Sequence, residues 1–260
     1  MMNVKMIVTD LDETLLKTDK SISEYTKSVF RRLRERGVLF AFATSRSARA
    51  SERFRAMITP DIDITSGGAI ATMDGKTLFR AAIDIGTANS IIRELKENEN
   101  VLQITVDTEY YYFNSKPIDL SFAEWVDYSD SVTTDFTEPL NVPDVFKITP
   151  NIDNAETILA ITSHYPSVDV LRFTGEDWYQ IKSQKAAKQY AITEVCTQLG
   201  FTTSEVVAFG DDYNDVVMLR ECGIGVAVTN AIVEVKAAAD YICDTNDNDG
   251  VAKWLKENVL

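Results

Sequence analysis

The chain has 260 residues, 45% of them hydrophobic, enough to bury a sizeable core as one large domain or two unequal ones. Its 26 Lys plus Arg stand against 40 Asp plus Glu, a formal charge of -14, so nucleic acid and anionic membranes are repelled and neither is expected as a partner. Cys196, Cys222 and Cys243 form no CxxC pair, which speaks against a disulfide framework or zinc site and for a cytoplasmic setting, and the run VLFAFA at 38–43 is too short to cross a bilayer.

Strand and helix periodicities alternate over residues 1–82. The strand VKMIVT is followed by the amphipathic SISEYTKSVFRRLRERG, in which Ser21 and Glu24 have capping-box spacing, Val29, Phe30 and Leu33 share a face and Gly37 marks the stop. A strand VLFAFAT and a helix SARASERFRAMI come next. The rhythm returns over 183–260 with the helix SQKAAKQYAITEVCTQLG, the strand EVVAFG, the helix NDVVMLRECG, the strand IGVAV and a helix after Gly250. Such βαβ units imply a parallel sheet covered on both faces.

Residues 83–182 mix strand-like runs (VLQITVD, EYYYFN, DVFKIT, SVDVLRF) with helical ones (ANSIIRELKENE, NAETILAITSHY). The expected fold is therefore α/β: a Rossmann-like parallel-sheet core from 1–82 and 183–260, with an α+β cap inserted as 83–182. Hinges are expected near Ile83–Gly86 and Gly175–Lys182, so that the insert acts as a lid. In Tyr110–Phe113 alternate rings should pack, Trp125 and Trp178 read as core or rim residues, and His164 as a surface or packing residue.

The chemistry lies at two strand ends. On an extended backbone Asp10 and Asp12 point the same way, toward the crevice beyond the carboxyl ends of a parallel sheet. A second apolar strand runs into Asp211, Asp212, Asn214 and Asp215. Converging carboxylates need a cation, and an all-oxygen donor set with no nearby Cys or His suits Mg²⁺, which leaves room for a phosphate oxygen. An aspartate can then serve as nucleophile toward phosphorus, Asp10 attacking while Asp12 works as general acid and base. Thr44, Ser45 and a lysine opening the helix before VVAFG are candidate holders of the phosphoryl group.

These residues resemble the haloacid dehalogenase superfamily of aspartate-nucleophile phosphatases, in its Cof-type branch. DLDETLL is similar to the family's DxDGTLL, ATSR at 43–46 to ATGR, and GDDYND at 210–215 to GDxxND. Counting back from Gly200 puts the family's lysine at Lys188, ahead of Lys182 and Lys185; SGGAI, GVAVTNA and ADYICDTNDNDGVAKWL are further echoes. The resemblance implies Mg²⁺ held by Asp10, the Asp12 carbonyl and Asp211, with Asp215 behind them. It also implies a phosphate held by Thr44, the Ser45 backbone, Lys188 and Asn214. Glu13, Ser45 and Gln189 replace family glycines, and Ser66 and Thr229 stand where Asn and Gly are usual.

The expected activity is Mg²⁺-dependent hydrolysis of a small phosphorylated metabolite, most simply a sugar phosphate, through an aspartyl-phosphate at Asp10, in a monomer or small homo-oligomer. The alternatives are phosphoryl transfer to a sugar, as in phosphomannomutases, and a catalytically weak phosphometabolite-binding regulator.

Overall fold

The computed structural model describes residues 4–109, 111–117, 131–173 and 176–260. Tyr110, Trp125 and Gly175 lie outside them. Two compact units emerge, one comprising Met1–Ser47, Ser51–Arg80 and Ala187–Leu260, the other Ala48–Ala50 and Ala81–Ala186.

In chain order the first unit begins with β1 (Met6–Thr9), α1 (Glu24–Glu35), β2 (Leu39–Ala43), α2 (Ala48–Ile58), β3 (Ile62–Thr65), β4 (Ile70–Met73) and β5 (Lys76–Arg80). The second unit follows with α3 (Ile85–Lys96), β6 (Val101–Thr108), β7 (Tyr112–Asn114), β8 (Ser131–Thr133), β9 (Val145–Ile152), α4 (Ala155–Ser163), β10 (Val168–Arg172) and β11 (Tyr179–Ser183). The chain then returns as α5 (Lys188–Leu199), β12 (Val206–Gly210), α6 (Val216–Glu221), β13 (Ile224–Val228), α7 (Val233–Ala238), β14 (Tyr241–Cys243) and α8 (Gly250–Asn258).

Among the described residues the first unit holds an eight-stranded sheet in the order β14-β13-β12-β1-β2-β3-β4-β5. The six strands from β14 to β3 run parallel, and β1 is buried along its whole length, as expected of a strand covered on both faces. The expected parallel core carries an antiparallel edge: β4 and β5 are antiparallel, joined by Asp74 and Gly75, both at positive φ (50° and 73°). That is the backbone a two-residue hairpin demands, and MDGK carried its Asp-Gly signal.

Strand order reverses beside β1, with β2 and β3 laid to one side and β12 to β14 to the other, so the crevice of this sheet opens at the carboxyl ends of β1 and β12. Thr9 pairs in register with Phe209, which brings the residues after them side by side although some 200 positions separate them in sequence.

Two local readings are corrected. Ser21 does not cap α1; Ser23 does, its hydroxyl accepting the Thr26 amide at 3.0 Å, while the Ser21 amide donates to Asp19. The helix expected from Ser183 starts instead at Lys188, because Tyr179–Ser183 is a strand paired antiparallel with β10. Val29, Phe30 and Leu33 are buried as the pattern required, Phe30 meeting Phe40 with ring centroids 4.2 Å apart, and Gly37 stops the region at φ 75°.

The second unit is a sheet in the order β10-β11-β9-β6-β7-β8 whose apolar face (Ile104, Val106, Ile148, Ile181) packs with Ala88, Ile91, Ile92 and Leu95 of α3. The alternate positions are polar yet buried: Thr105, Asp107, Lys147, Thr149, Gln180 and Lys182. Lys147 and Asp107 form an ion pair there at 3.0 Å. Tyr111 is exposed, Phe113 packs against this unit's core, Trp178 is half-buried, and His164 ends α4 on the surface with Nδ1 3.3 Å from Glu94. No helix among the described residues is long and apolar enough to cross a membrane, and all three cysteines are free and buried.

Candidate active site

Asp10 follows β1 directly, and its amide donates to the carbonyl of Phe209 in β12, extending the parallel ladder by one bond. The chain then leaves the strand direction in a kinked turn over Leu11–Leu15, where Asp12 is extended (φ -69°, ψ 133°) and Glu13 is left-handed (φ 55°), with Leu11 and Leu15 buried. That turn separates the two aspartates of the first motif. The Asp10 carboxylate meets Lys188, whereas the Asp12 carboxylate is held by Arg46, with Nε at 2.6 Å and Nη2 at 2.8 Å, and by Lys20 at 3.1 Å.

Lys188 is the first residue of α5 and is 2% exposed. Its ammonium donates to Asp10 at 2.7 Å and to Asp215 at 2.6 Å. Lys182 belongs to the second unit and Lys185 is exposed, so the count back from Gly200 selects the lysine that reaches the carboxylates. Two glycines make this approach possible. A Cβ on Gly68, at φ 90°, would fall 2.3 Å from the carbonyl carbon of Ala187, and one on Gly210 would fall 2.4 Å from Cβ of Asp215. Gly68 of SGGAI and Gly210 of GDDYND thus let the backbone close on the start of α5 and on Asp215.

Asp215 uses its other oxygen to accept the amides of Asp211 and Asp212, at 3.0 and 3.3 Å, which folds the loop after β12 back over its own strand. Asp211 is fixed by the hydroxyl of Thr14, 2.5 Å from Oδ1. Ligand oxygens of Asp10, Asp211 and Asp215 all lie within 4.8 Å of one another. With all three carboxylates ionised, one ammonium leaves two negative charges, which a single divalent cation would balance. An all-oxygen set of this kind fits Mg²⁺.

Burial raises the proton affinity of Asp10, and Asp215 and Asp12 add to it; Lys188 offsets only part. Asp211 is raised for the same reasons, burial first and then the charges of Asp10 and Asp215. Burial alone would lower Lys188, but the two carboxylates outweigh it and hold the amine firmly protonated. Asp12 goes the other way: burial would raise it, yet Arg46 and Lys20 overcome that and keep it below the ordinary carboxylate value.

The remaining expected residues lie on neighbouring loops. Thr44 follows β2, is buried, and accepts the Arg46 amide at 3.1 Å through its hydroxyl. The Ser45 hydroxyl accepts the side-chain amide of Asn214 at 3.1 Å, tying the second motif to the last. Sequence reasoning left three roles unassigned: the link from Thr14 to Asp211, the clamp of Arg46 on Asp12, and the contact of Lys20 with Asp12. Thr14 stood inside the quoted DLDETLL, but its hydroxyl finds Asp211 only across 197 residues of chain.

Residues 7–255 match the haloacid dehalogenase-like hydrolase family. The chain is 29% identical to the 5-amino-6-(5-phospho-D-ribitylamino)uracil phosphatase YitU of Bacillus subtilis, with 97% of this chain and 96% of that one covered. It is 27% identical to the phosphoglycolate phosphatase of Methanopyrus kandleri, again with 97% and 96% covered. Among solved structures, the subclass IIB sugar phosphatase BT4131 aligns with a TM-score of 0.82 at 26% identity, covering 98% of both chains. The motifs, the sheet and these likenesses agree: the chain belongs to the haloacid dehalogenase-like hydrolase family, in its Cof-type phosphatase branch.

Proposed function

We propose that this chain, a phosphoric monoester hydrolase by family, hydrolyses a small phosphorylated metabolite of the sugar-phosphate type through a covalent phosphoryl-Asp10. The observation that carries the reading is the meeting of Asp10, Lys188, Asp211 and Asp215 around one small buried volume. An Asp10 oxygen forms the bond to phosphorus as the ester P–O bond breaks, and the leaving oxygen takes a proton from Asp12. Water then attacks the phosphorylated Asp10 and gives its proton to Asp12, freeing inorganic phosphate and the original carboxylate.

Arg46 and Lys20 keep Asp12 ionised, as the water step requires; the incoming phosphate's negative charge opposes those two cations and favours the protonated acid needed for the first step. Lys188, Thr44, the Ser45 backbone and Asn214 hold the phosphoryl oxygens. Asp10, Asp211 and the Asp12 carbonyl would hold Mg²⁺, with Asp215 supporting them. When bound, the ion supplies charge to offset that developing on the phosphoryl oxygens. The substrate class rests on the relatives, whose names specify a phosphoribityl compound, phosphoglycolate and sugar phosphates. A cytoplasmic setting agrees with three buried free thiols.

The test is release of phosphate from 4-nitrophenyl phosphate with Mg²⁺, followed by a panel of phosphorylated sugars and sugar acids. Asp10→Asn should abolish turnover while leaving the fold intact; a chain that carries this substitution and remains as active as the parent would sink the covalent mechanism.

A further inference from the structure

Two residues beside Asp12 adopt a backbone conformation that side chains rarely take. Glu13 lies at φ 55° and Lys20 at φ 61°, where glycine is the comfortable residue. Their side chains meet: Lys20 Nζ is 3.0 Å from Glu13 Oε1 and 3.1 Å from Asp12 Oδ1. Strained positions of this sort persist only where the surroundings over-determine them, and they gather at functional sites.

The surroundings here are dense. The Lys20 amide closes a turn onto the Lys17 carbonyl at 2.8 Å. That turn is fastened to residues 244–249, since Lys17 and Thr18 bond Asp247 and Asn246 donates to the Leu16 carbonyl at 3.0 Å. Glu13 is fixed from the same side, its carboxylate accepting from Asn246 at 3.3 Å and its carbonyl from Asn230 at 2.7 Å. Lys20 is therefore anchored at its backbone and aimed by Glu13. Arg46 reaches both oxygens of Asp12 from the loop after β2, and Lys20 reaches Oδ1 from a separate loop, so two independent elements fix the carboxylate plane.

We propose that Lys20, aimed by Glu13, is a positioning residue for Asp12, holding its carboxylate where the leaving-group oxygen departs. This rests on the acid-base role given to Asp12 above. Misplacing a general acid slows esters whose leaving oxygen needs a proton and spares those whose leaving group departs as a stable anion.

The experiment measures kcat/KM of the full chain with Mg²⁺ on phenyl, 4-nitrophenyl and 2,4-dinitrophenyl phosphate. Lys20→Met and Glu13→Gly should lose roughly tenfold more on the phenyl ester than on the dinitrophenyl ester, a modest part of the ~10²–10⁴-fold that general acid catalysis supplies. Lys20→Arg should restore most of the difference. Glu13→Gly removes the carboxylate at a positive φ that glycine adopts freely, so the backbone turn itself is not strained by the change. An equal fall on all three esters, no fall, or a rise overturns the proposal. Wild-type turnover that survives Asp10→Asn would instead overturn the covalent reading, and this inference with it.

Discussion

The ammonium of Lys188 stands 2.7 Å from the carboxylate of Asp10, across 178 positions of chain. Both groups are buried, and Asp215 shares the same ammonium at 2.6 Å. Removing one partner of such a cluster leaves charge in a low-dielectric interior with no compensation, which costs about 3–5 kcal/mol. Lys188→Met should therefore destabilise the metal-free chain by about that amount in urea unfolding and lower kcat roughly 10²–10³-fold, the range seen when a charge-stabilising group is lost. A variant of unchanged stability would show that the Lys188 ammonium compensates no buried charge.

Metal-free stability should depend on pH in a defined direction. The folded chain pushes Asp10 up to about 7 and Asp211 up to about 8, against an ordinary value of 3.8. The folded state thus holds protons that the unfolded chain has released, so stability from these groups is complete below the ordinary value and is lost as pH rises through the raised ones. The melting temperature without metal should fall from weakly acidic to weakly alkaline pH. Because Mg²⁺ binds the ionised carboxylates, it should raise the melting temperature more at alkaline than at acidic pH. A magnesium-induced shift that is the same at both would contradict the assignment.

Thr14 donates to Asp211 at 2.5 Å and should govern how well that carboxylate is presented to an ion. Groups that orient ligands typically carry roughly 10–100-fold in metal affinity. Thr14→Val keeps the shape and removes the donor, so the Mg²⁺ concentration giving half-maximal activity should rise by about that factor, with maximal turnover changed far less. Titrating activity against Mg²⁺ for both proteins checks it.

Much of the architecture was legible because it is written locally. The apolar run ending at Asp10, the buried face of Val29, Phe30 and Leu33, and the acidic end of VVAFG each state their periodicity within a few residues. So did the spacing from Gly200, which selected Lys188. The hairpin of β4 and β5 escaped notice although MDGK advertised it, since a short antiparallel edge adds little to a βαβ pattern. The start of α5 was set too early because a strand through Ser183 pairs with residues that only the folded chain brings near.

The sequence by itself determined which residue types stand at the tips of β1 and β12, and with them a carboxylate chemistry that demands a cation, since charge and strand period are properties of short stretches. Which cation meets which carboxylate was decided only by tertiary structure. A kinked turn after Asp10 turns Asp12 to Arg46 and Lys20, while the parallel pairing of β1 with β12 and the close approach allowed by Gly68 and Gly210 give Asp10 to Lys188. Lys20 lies near Asp12 in sequence, but Arg46 is 34 positions from Asp12 and Lys188 is 178 from Asp10, and their distance in space is fixed by packing rather than by any local pattern.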